Sequence, residues 1–343
     1  MSELTVSVVI PTYNRAGLLG RAIQSVLSQL GRPDEIIVVD DGSTDGTAEL
    51  VRTLAEPRIR YIRQSHAGAG AARNRGVSEA TRDLIAFLDS DDEWLPGKLA
   101  LQRQFMSVRQ EVLFSFTDLG REVGGKRQPL LRGGHWHEDL RDWDKILAPP
   151  MPYSWFAGLP KDTPDFNVYV GDMYHGTMYY NYFSIVCVVV RREEAADAIR
   201  FAEGVATYEE WECMGRLARQ GKAAFLDIVG SLQHKHPGAR ITDADWVERA
   251  ESRLTILRNV WGSDEDFLKH HGAAYRALVH DQNLARLRGM IVLGRQRQAR
   301  EEMRKLRNVP MAYRSAALVP SPWMSALVSL RHSVNGFLTA PPQ

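Results

Sequence analysis

Leu84-Ile85-Ala86-Phe87-Leu88-Asp89-Ser90-Asp91-Asp92 decides how this chain folds. Five apolar residues without polar alternation describe a strand covered on both faces. The carboxylates that follow emerge together at a sheet edge. Three acids in four residues repel one another unless a cation sits among them. Oxygen-only ligands suit Mg²⁺ or Mn²⁺, ions that commonly hold substrate phosphates. The other reading open at this point is a solvated acidic turn before a helix, since Asp favours helix starts.

Outward from that run, strand and helix patterns alternate. Thr5–Ile10 is short and β-branched, and Asn14–Leu30 places Leu18, Leu19, Ala22, Ile23, Val26, Leu27 and Leu30 on one helical face. Glu35–Asp40 reads as a second buried strand. The spacing predicts a helix over Thr44–Leu54, capped by Ser43 or Thr44, then a strand at Arg58–Arg63 and a helix at Ala69–Ala80. Val112–Thr117 is one more strand. This is an α/β pattern: a Rossmann-like, mostly parallel sheet with helices on both faces. Ligands of such sheets bind beyond the carboxyl ends of the strands. Asn14, Asp40, Asp41, Asp89 and Asp91 all fall there.

Residues 119–181 differ in kind, rich in Gly, Pro, Trp, Tyr and His with weak periodicity; Trp136, Trp143, Tyr153 and Trp155 stand among them. Such a stretch is either a functional insertion or a variable surface loop. Residues 182–190 resume a strand pattern, Tyr208–Arg219 reads as a helix ended by Gly221, and Ala223–Val229 as a short strand. From about residue 241 to 343 the pattern is helical and basic, with no acid after Glu302. These helices are read as packing on the core or on a partner, with peripheral contact at the inner face of a membrane as the second reading.

The chain has 343 residues, 25% charged and 44% hydrophobic, enough for one large soluble domain or two. A net charge of +1 gives no argument for nucleic acid. The two cysteines, Cys187 and Cys213, have no zinc spacing and read as packed thiols of a reducing, cytoplasmic compartment. The N-terminus lacks the pattern of a secretory signal, and no apolar stretch spans a bilayer.

Three further segments bear chemistry. Pro11-Thr12-Tyr13-Asn14 closes the first strand in a polar turn. Asp40-Asp41-Gly42-Ser43-Thr44-Asp45 follows the second, where an Asp can accept the imino proton of a uracil-type ring. It begins like a calcium loop, but Arg52 stands at the twelfth position where a bidentate Glu is needed. Gly68-Ala69-Gly70-Ala71-Ala72-Arg73 puts small residues and a cation at a helix start, which favours phosphate. In this order, with the acidic cluster, they resemble glycosyltransferase family 2, the inverting group with the GT-A fold. The resemblance covers residues 5–118 most fully and 180–240 more weakly.

The resemblance implies a transferase that moves one sugar from a nucleoside-diphosphate sugar, UDP by default, to a saccharide, lipid-linked or other hydroxyl acceptor. It implies Mn²⁺ or Mg²⁺ at Asp91 with Asp89 near the donor ribose beside Ser90, and a nucleotide lined by Pro11, Thr12, Tyr13, Asn14, Asp40, Asp41 and Arg73. Asp92 is left as a helix cap. Glu209-Glu210 matches the family's Glu-Asp motif, which makes Glu210 the general base and Glu209 its rival. His236 matches a late metal-binding His, with His234 as rival. The implied division is a GT-A domain over 1–240 (nucleotide-sugar half 1–118, acceptor-side insertion 119–181, acceptor half 182–240) and a helical region over 241–343; a homo-oligomer stays open. The competing readings are a nucleotidyltransferase, which would want a glycine-rich loop where Pro11–Arg15 stands, and a non-catalytic nucleotide-sugar-binding protein.

Overall fold

The computed structural model describes residues 3–123, 126–131, 141–161, 163–234 and 244–319. The first part alternates: β1 (Val6–Thr12), α1 (Ala16–Leu27), β2 (Glu35–Asp40), α2 (Thr47–Leu54), β3 (Ile59–Arg63), α3 (Ala69–Glu79) and β4 (Leu84–Phe87). A short β5 (Glu93–Trp94) precedes α4 (Lys98–Val108). There follow β6 (Val112–Val123), β7 (Lys126–Pro129), α5 (Trp143–Ile146), β8 (Met151–Pro152), β9 (Asn167–Gly171) and α6 (Tyr174–Thr177). Then come β10 (Val188–Arg191), α7 (Arg192–Ala195), α8 (Glu209–Gln220) and β11 (Lys222–Gln233). The last helices are α9 (Trp246–Val260), α10 (Glu265–Val292), α11 (Gln296–Met303) and α12 (Met311–Ala316).

The strands form one sheet in the order β3-β2-β1-β4-β10-β6-β11-β9-β8, with β5 added to β11 and β7 to β6. β3, β2, β1 and β4 run parallel, as do β6 and β11, while β10 is antiparallel to both β4 and β6. The residues of β1, β2 and β4 are buried throughout, which is why these strands read as continuous apolar runs. α1 buries Leu19, Ala22, Ile23 and Val26, one stripe at helical spacing. α3 lies so close to β1 that a Cβ on Gly76 would sit 2.3 Å from Val9 Cγ1. Strand order reverses direction between β1 and β4, so their carboxyl ends flank the crevice where such sheets take ligands.

Several local expectations are corrected. α2 starts at Thr47, three residues late, because Ser43 and Thr44 are engaged by Asn14 and the Asp45 carboxylate accepts from the Thr47 backbone and hydroxyl instead. Asp92 caps no helix: β5 intervenes, and α4 begins at Lys98 behind Gly97, at φ +87°. Residues 185–187 form a 3₁₀ turn rather than strand, whose Val186 carbonyl takes the Trp94 indole N–H at 3.0 Å and the Ser231 hydroxyl at 3.1 Å. β6 runs six residues past Thr117, because β11 and β7 pair with its extension.

The chain divides into two compact units, Met1–Gly204 with Glu210–Pro237, and Val205–Glu209 with Gly238–Gln343. The second has its own core of Val247, Leu287, Met290, Ile291 and Ala299. Its first long helix, α9, carries a full capping box, Asp245 accepting from Glu248 N–H while Glu248 accepts from Asp245 N–H. Cys187 and Cys213 are free and buried. Among the described residues no helix is long and apolar enough to cross a membrane.

Candidate functional site

The carboxyl ends of β1 and β2 are laced together by the residues the sequence singled out. Asn14 adopts φ +51°, donates its N–H to Ser43 Oγ at 2.9 Å and accepts the Thr44 N–H at 2.8 Å. Asp40 is buried, accepting the Ser43 N–H at 2.7 Å and the Tyr61 hydroxyl. Asp41 is buried with three donors on its carboxylate: Gln64 Nε2 (2.8 Å) and Ala67 N (2.9 Å) on Oδ1 and Gly68 N (2.8 Å) on Oδ2, while His66 Nδ1 lies 3.2 Å from the Asp41 carbonyl and 2.9 Å from Oδ2. A carboxylate has about four acceptor positions, and three are taken here by the chain leading into α3. Asp41 thus clamps the loop that feeds α3. His66 stacks on the exposed Tyr13 ring, centroids 4.2 Å apart. Thr12 Oγ1 is buried with no hydrogen-bond partner among the described residues.

Beyond β4 the acids gather. Ligand oxygens of Asp89, Asp91 and Asp92 lie within 4.8 Å of one another. Arg73, buried at the start of α3, reaches Asp89 Oδ1 at 2.7 Å, and Arg21 donates to the Asp91 carbonyl at 2.8 Å. Burial first, then the charges of Asp89 and Asp91, push the Asp92 carboxyl well above its ordinary range. Clustered oxygen ligands whose negative charges oppose one another suit a hard divalent cation. Ser90 is buried between them. β11 brings His234 to this edge, its N–H 3.4 Å from Asp92 Oδ1 and its ring Nε2 3.0 Å from Glu93 Oε2. His236 lies outside the described residues, as does Trp136.

On the acceptor side Glu210, in the first turn of α8, accepts from Asn181 Nδ2 at 3.0 Å. Glu209 is the buried first residue of that helix. The approach to α8 is tied to the acids through Phe201. This ring lies edge-on to Phe87 at 5.2 Å and under the Arg73 guanidinium at 5.4 Å. Asn74 accepts the Phe201 N–H at 2.8 Å and donates to its carbonyl at 3.0 Å. Arg21, Gln64, His66, Asn74 and Glu93 were not singled out from the sequence. Asn74 carries a legible signal, next to Arg73 in the small-residue motif; the others gain meaning only from what the fold sets against them.

A parallel half-sheet with carboxylates grouped at one strand end and a small-residue helix start beside them describes an α/β domain of the GT-A type. Residues 7–159 match the family model Glycosyl transferase family 2, and this segment belongs to that family. It is 42% identical over 118 residues to an uncharacterized glycosyltransferase of Rickettsia felis, covering 34% of this chain and 19% of that protein. It is 38% identical over 114 residues to the UDP-Glc:alpha-D-GlcNAc-diphosphoundecaprenol beta-1,3-glucosyltransferase WfaP of Escherichia coli, covering 33% of this chain and 45% of WfaP. The matched segment thus spans less than half of these curated relatives. In three dimensions the chain is similar to S. aureus TarS 1–349 in complex with UDP-GlcNAc (TM-score 0.57, 16% identity, 96% of this chain and 92% of that one). It is also similar to the mannosyltransferase PcManGT of Pyrobaculum calidifontis in complex with GDP-Man and Mn2+ (TM-score 0.53, 16% identity, 96% and 79%).

Proposed function

We propose that this chain is an inverting glycosyltransferase that moves one sugar from a nucleoside-diphosphate sugar to a hydroxyl acceptor in cell-surface polysaccharide or glycolipid synthesis. The observation that carries the reading is the carboxylate set within 4.8 Å at the end of β4, inside the family segment. Asp91 and Asp89 are the residues that would hold Mn²⁺ or Mg²⁺, with His236 or its rival His234 completing the set. Such an ion, when bound, neutralises a departing diphosphate. Arg73 fixes the Asp89 carboxylate and thereby its edge toward a ribose. Pro11, Thr12 and Tyr13 line the base at the end of β1, with the buried, unpartnered Thr12 hydroxyl as a ready polar group. Asp41, with three donors on its carboxylate, keeps acceptor capacity on Oδ2 for a base. Glu210, with Glu209 as second candidate, takes the proton of the acceptor hydroxyl as that oxygen attacks opposite the diphosphate.

A uridine donor is proposed because TarS holds UDP-GlcNAc and the Escherichia coli relative is named for UDP-Glc. A lipid-linked diphosphate acceptor is proposed on the same relative's name, together with peripheral contact of the basic C-terminal helices with an anionic membrane face. The test is a calorimetric titration with UDP and GDP, each with MnCl₂, MgCl₂ or EDTA. Binding should require the metal, and Asp91→Asn should lose the metal-dependent part while keeping the wild-type melting midpoint. Failure of every nucleotide to bind would overturn the proposal.

A further inference from the structure

We propose that Asn181 is the positioning residue that orients Glu210 and holds it ionised, an inference that rests on the glycosyl-transfer reading above. Asn181 Nδ2 lies 3.0 Å from Glu210 Oε1. The amide is set from its other side, where Oδ1 accepts the Phe183 N–H at 3.4 Å. A flipped amide would point oxygen at a carboxylate and NH₂ at an N–H, so one orientation alone satisfies both contacts.

The backbone behind this donor is fixed as well. The largely buried Arg141 guanidinium donates to the Tyr182 carbonyl at 3.1 Å and to the Asn181 carbonyl at 3.5 Å, and lies over the Tyr182 ring at 5.1 Å. Phe183 is buried edge-on to Phe114 at 5.6 Å and Phe116 at 4.6 Å. The amide N–H is therefore delivered by a strut of buried rings and does not depend on Glu210 for its own place.

This explains how the chain tolerates Glu where the family motif has Asp. The extra methylene adds a torsion, and the carboxylate of a half-exposed Glu would wander by more than a proton transfer allows. A bond from a fixed amide removes that freedom and favours the charged form, the form a base must have. The acceptor O–H bond breaks, its proton goes to the Glu210 carboxylate, and its oxygen bonds the anomeric carbon. The anomeric C–O bond breaks with its electron pair leaving on the diphosphate.

The test compares Asn181→Asp and Asn181→Ala with the wild-type chain. Asn181→Asp keeps the acceptor for the Phe183 N–H, so it guards against a folding artefact. Among the described residues Glu209, Glu212 and the buried Cys213 share α8 with Glu210, and Cys213 feels its charge; the segment packed against it brings the neutral Asn181 amide and, behind it, the Arg141 guanidinium. The Glu210 carboxyl is titrated by ¹³C NMR on glutamate-labelled protein and assigned by its loss in Glu210→Gln. Its midpoint should rise by about one pH unit or more in Asn181→Asp, where a second carboxylate replaces the donor, and by less in Asn181→Ala. Release of nucleoside diphosphate from UDP-glucose, UDP-N-acetylglucosamine and GDP-mannose with MnCl₂ should show kcat down about tenfold at neutral pH. The donor KM should stay within about twofold. An unchanged Glu210 midpoint in both variants overturns the inference. Wild-type turnover in Glu210→Gln would instead overturn the base assignment beneath it. A dead Glu210→Gln beside unaffected Asn181 variants sinks the positioning role alone.

Discussion

Lys98 is buried over the Trp94 ring, its Nζ 4.1 Å from the centroid and 2.8 Å from Gln102 Oε1. Burial pushes its ammonium down to about 7. An unfolded lysine stays charged to about pH 10.4, so above pH 7 the unfolded chain binds a proton the folded one has lost. Folding stability from this group therefore rises with pH from 7 upward, by up to about 1.4 kcal/mol per unit, and is lost as pH falls toward 7. The buried thiols of Cys187 and Cys213, held up to about 12 by burial, act in the opposite sense above their ordinary range. The difference between wild type and Lys98→Met isolates the lysine. Urea midpoints should diverge most at pH 7, in favour of Lys98→Met, and converge by about pH 10. A constant difference across that range would refute the buried neutral lysine. Nothing in Leu95-Pro96-Gly97-Lys98 announces it, since lysine ordinarily marks a solvated face. Asp92 misled for the same reason: its environment is made by Arg21, His234 and its sister acids, all but the last remote in sequence. The apolar run ahead of Asp89, by contrast, needed no partner to be read.

At the scale of elements, β11 decides where the site's far wall stands. It leaves regular register with β6 between Leu226 and Val229 and again between Val229 and Ser231. That irregularity lets Ser231 and Leu232 pair with Trp94 and Glu93 of β5, which sets His234 beside Asp92. Gly230 sits at the irregularity, and a Cβ there would lie 2.3 Å from Thr117 Oγ1 and 2.8 Å from its Cβ. Gly230→Ala should therefore destabilise the unit by about 1–3 kcal/mol through overpacking. In a unit of this size that is a fall of about 2–4 °C per kcal/mol in the melting midpoint. It should also weaken Mn²⁺ binding at the β4 end, because β5 loses its partner register. A midpoint within error of wild type would show that β11 has room to yield. Periodicity reported the existence of β11 but stopped it at Val229, since a bulged strand breaks the two-residue alternation from which strands are read. The same limit hid the 3₁₀ turn before β10, where the apolar run is continuous and only the indole and hydroxyl partners of Val186 show that it is not strand.

Among the described residues two cores are present. One fills the sheet and its helices; the other is the smaller cluster around Leu287, Met290 and Ile291. The start of a helical region after the last strand was legible as a change of period and charge. That Val205–Glu209 groups with the later helices was not, because nothing local marks five residues as belonging to a unit whose remainder begins about thirty residues on. Separate cores predict separate melting. Differential scanning calorimetry of the full chain should resolve two transitions, the lower one from the smaller core, which buries less apolar surface. The acids at β4 and the loops of β1 and β2 belong to the sheet unit alone, so UDP with Mn²⁺ should raise the upper transition and leave the lower in place. At a hundredfold excess over Kd the gain is about 2.7 kcal/mol, several degrees in a unit of this size. Asp91→Asn should abolish the shift without moving the unliganded transitions. A single transition that moves as one on adding UDP and Mn²⁺ would overturn the independence of the two cores.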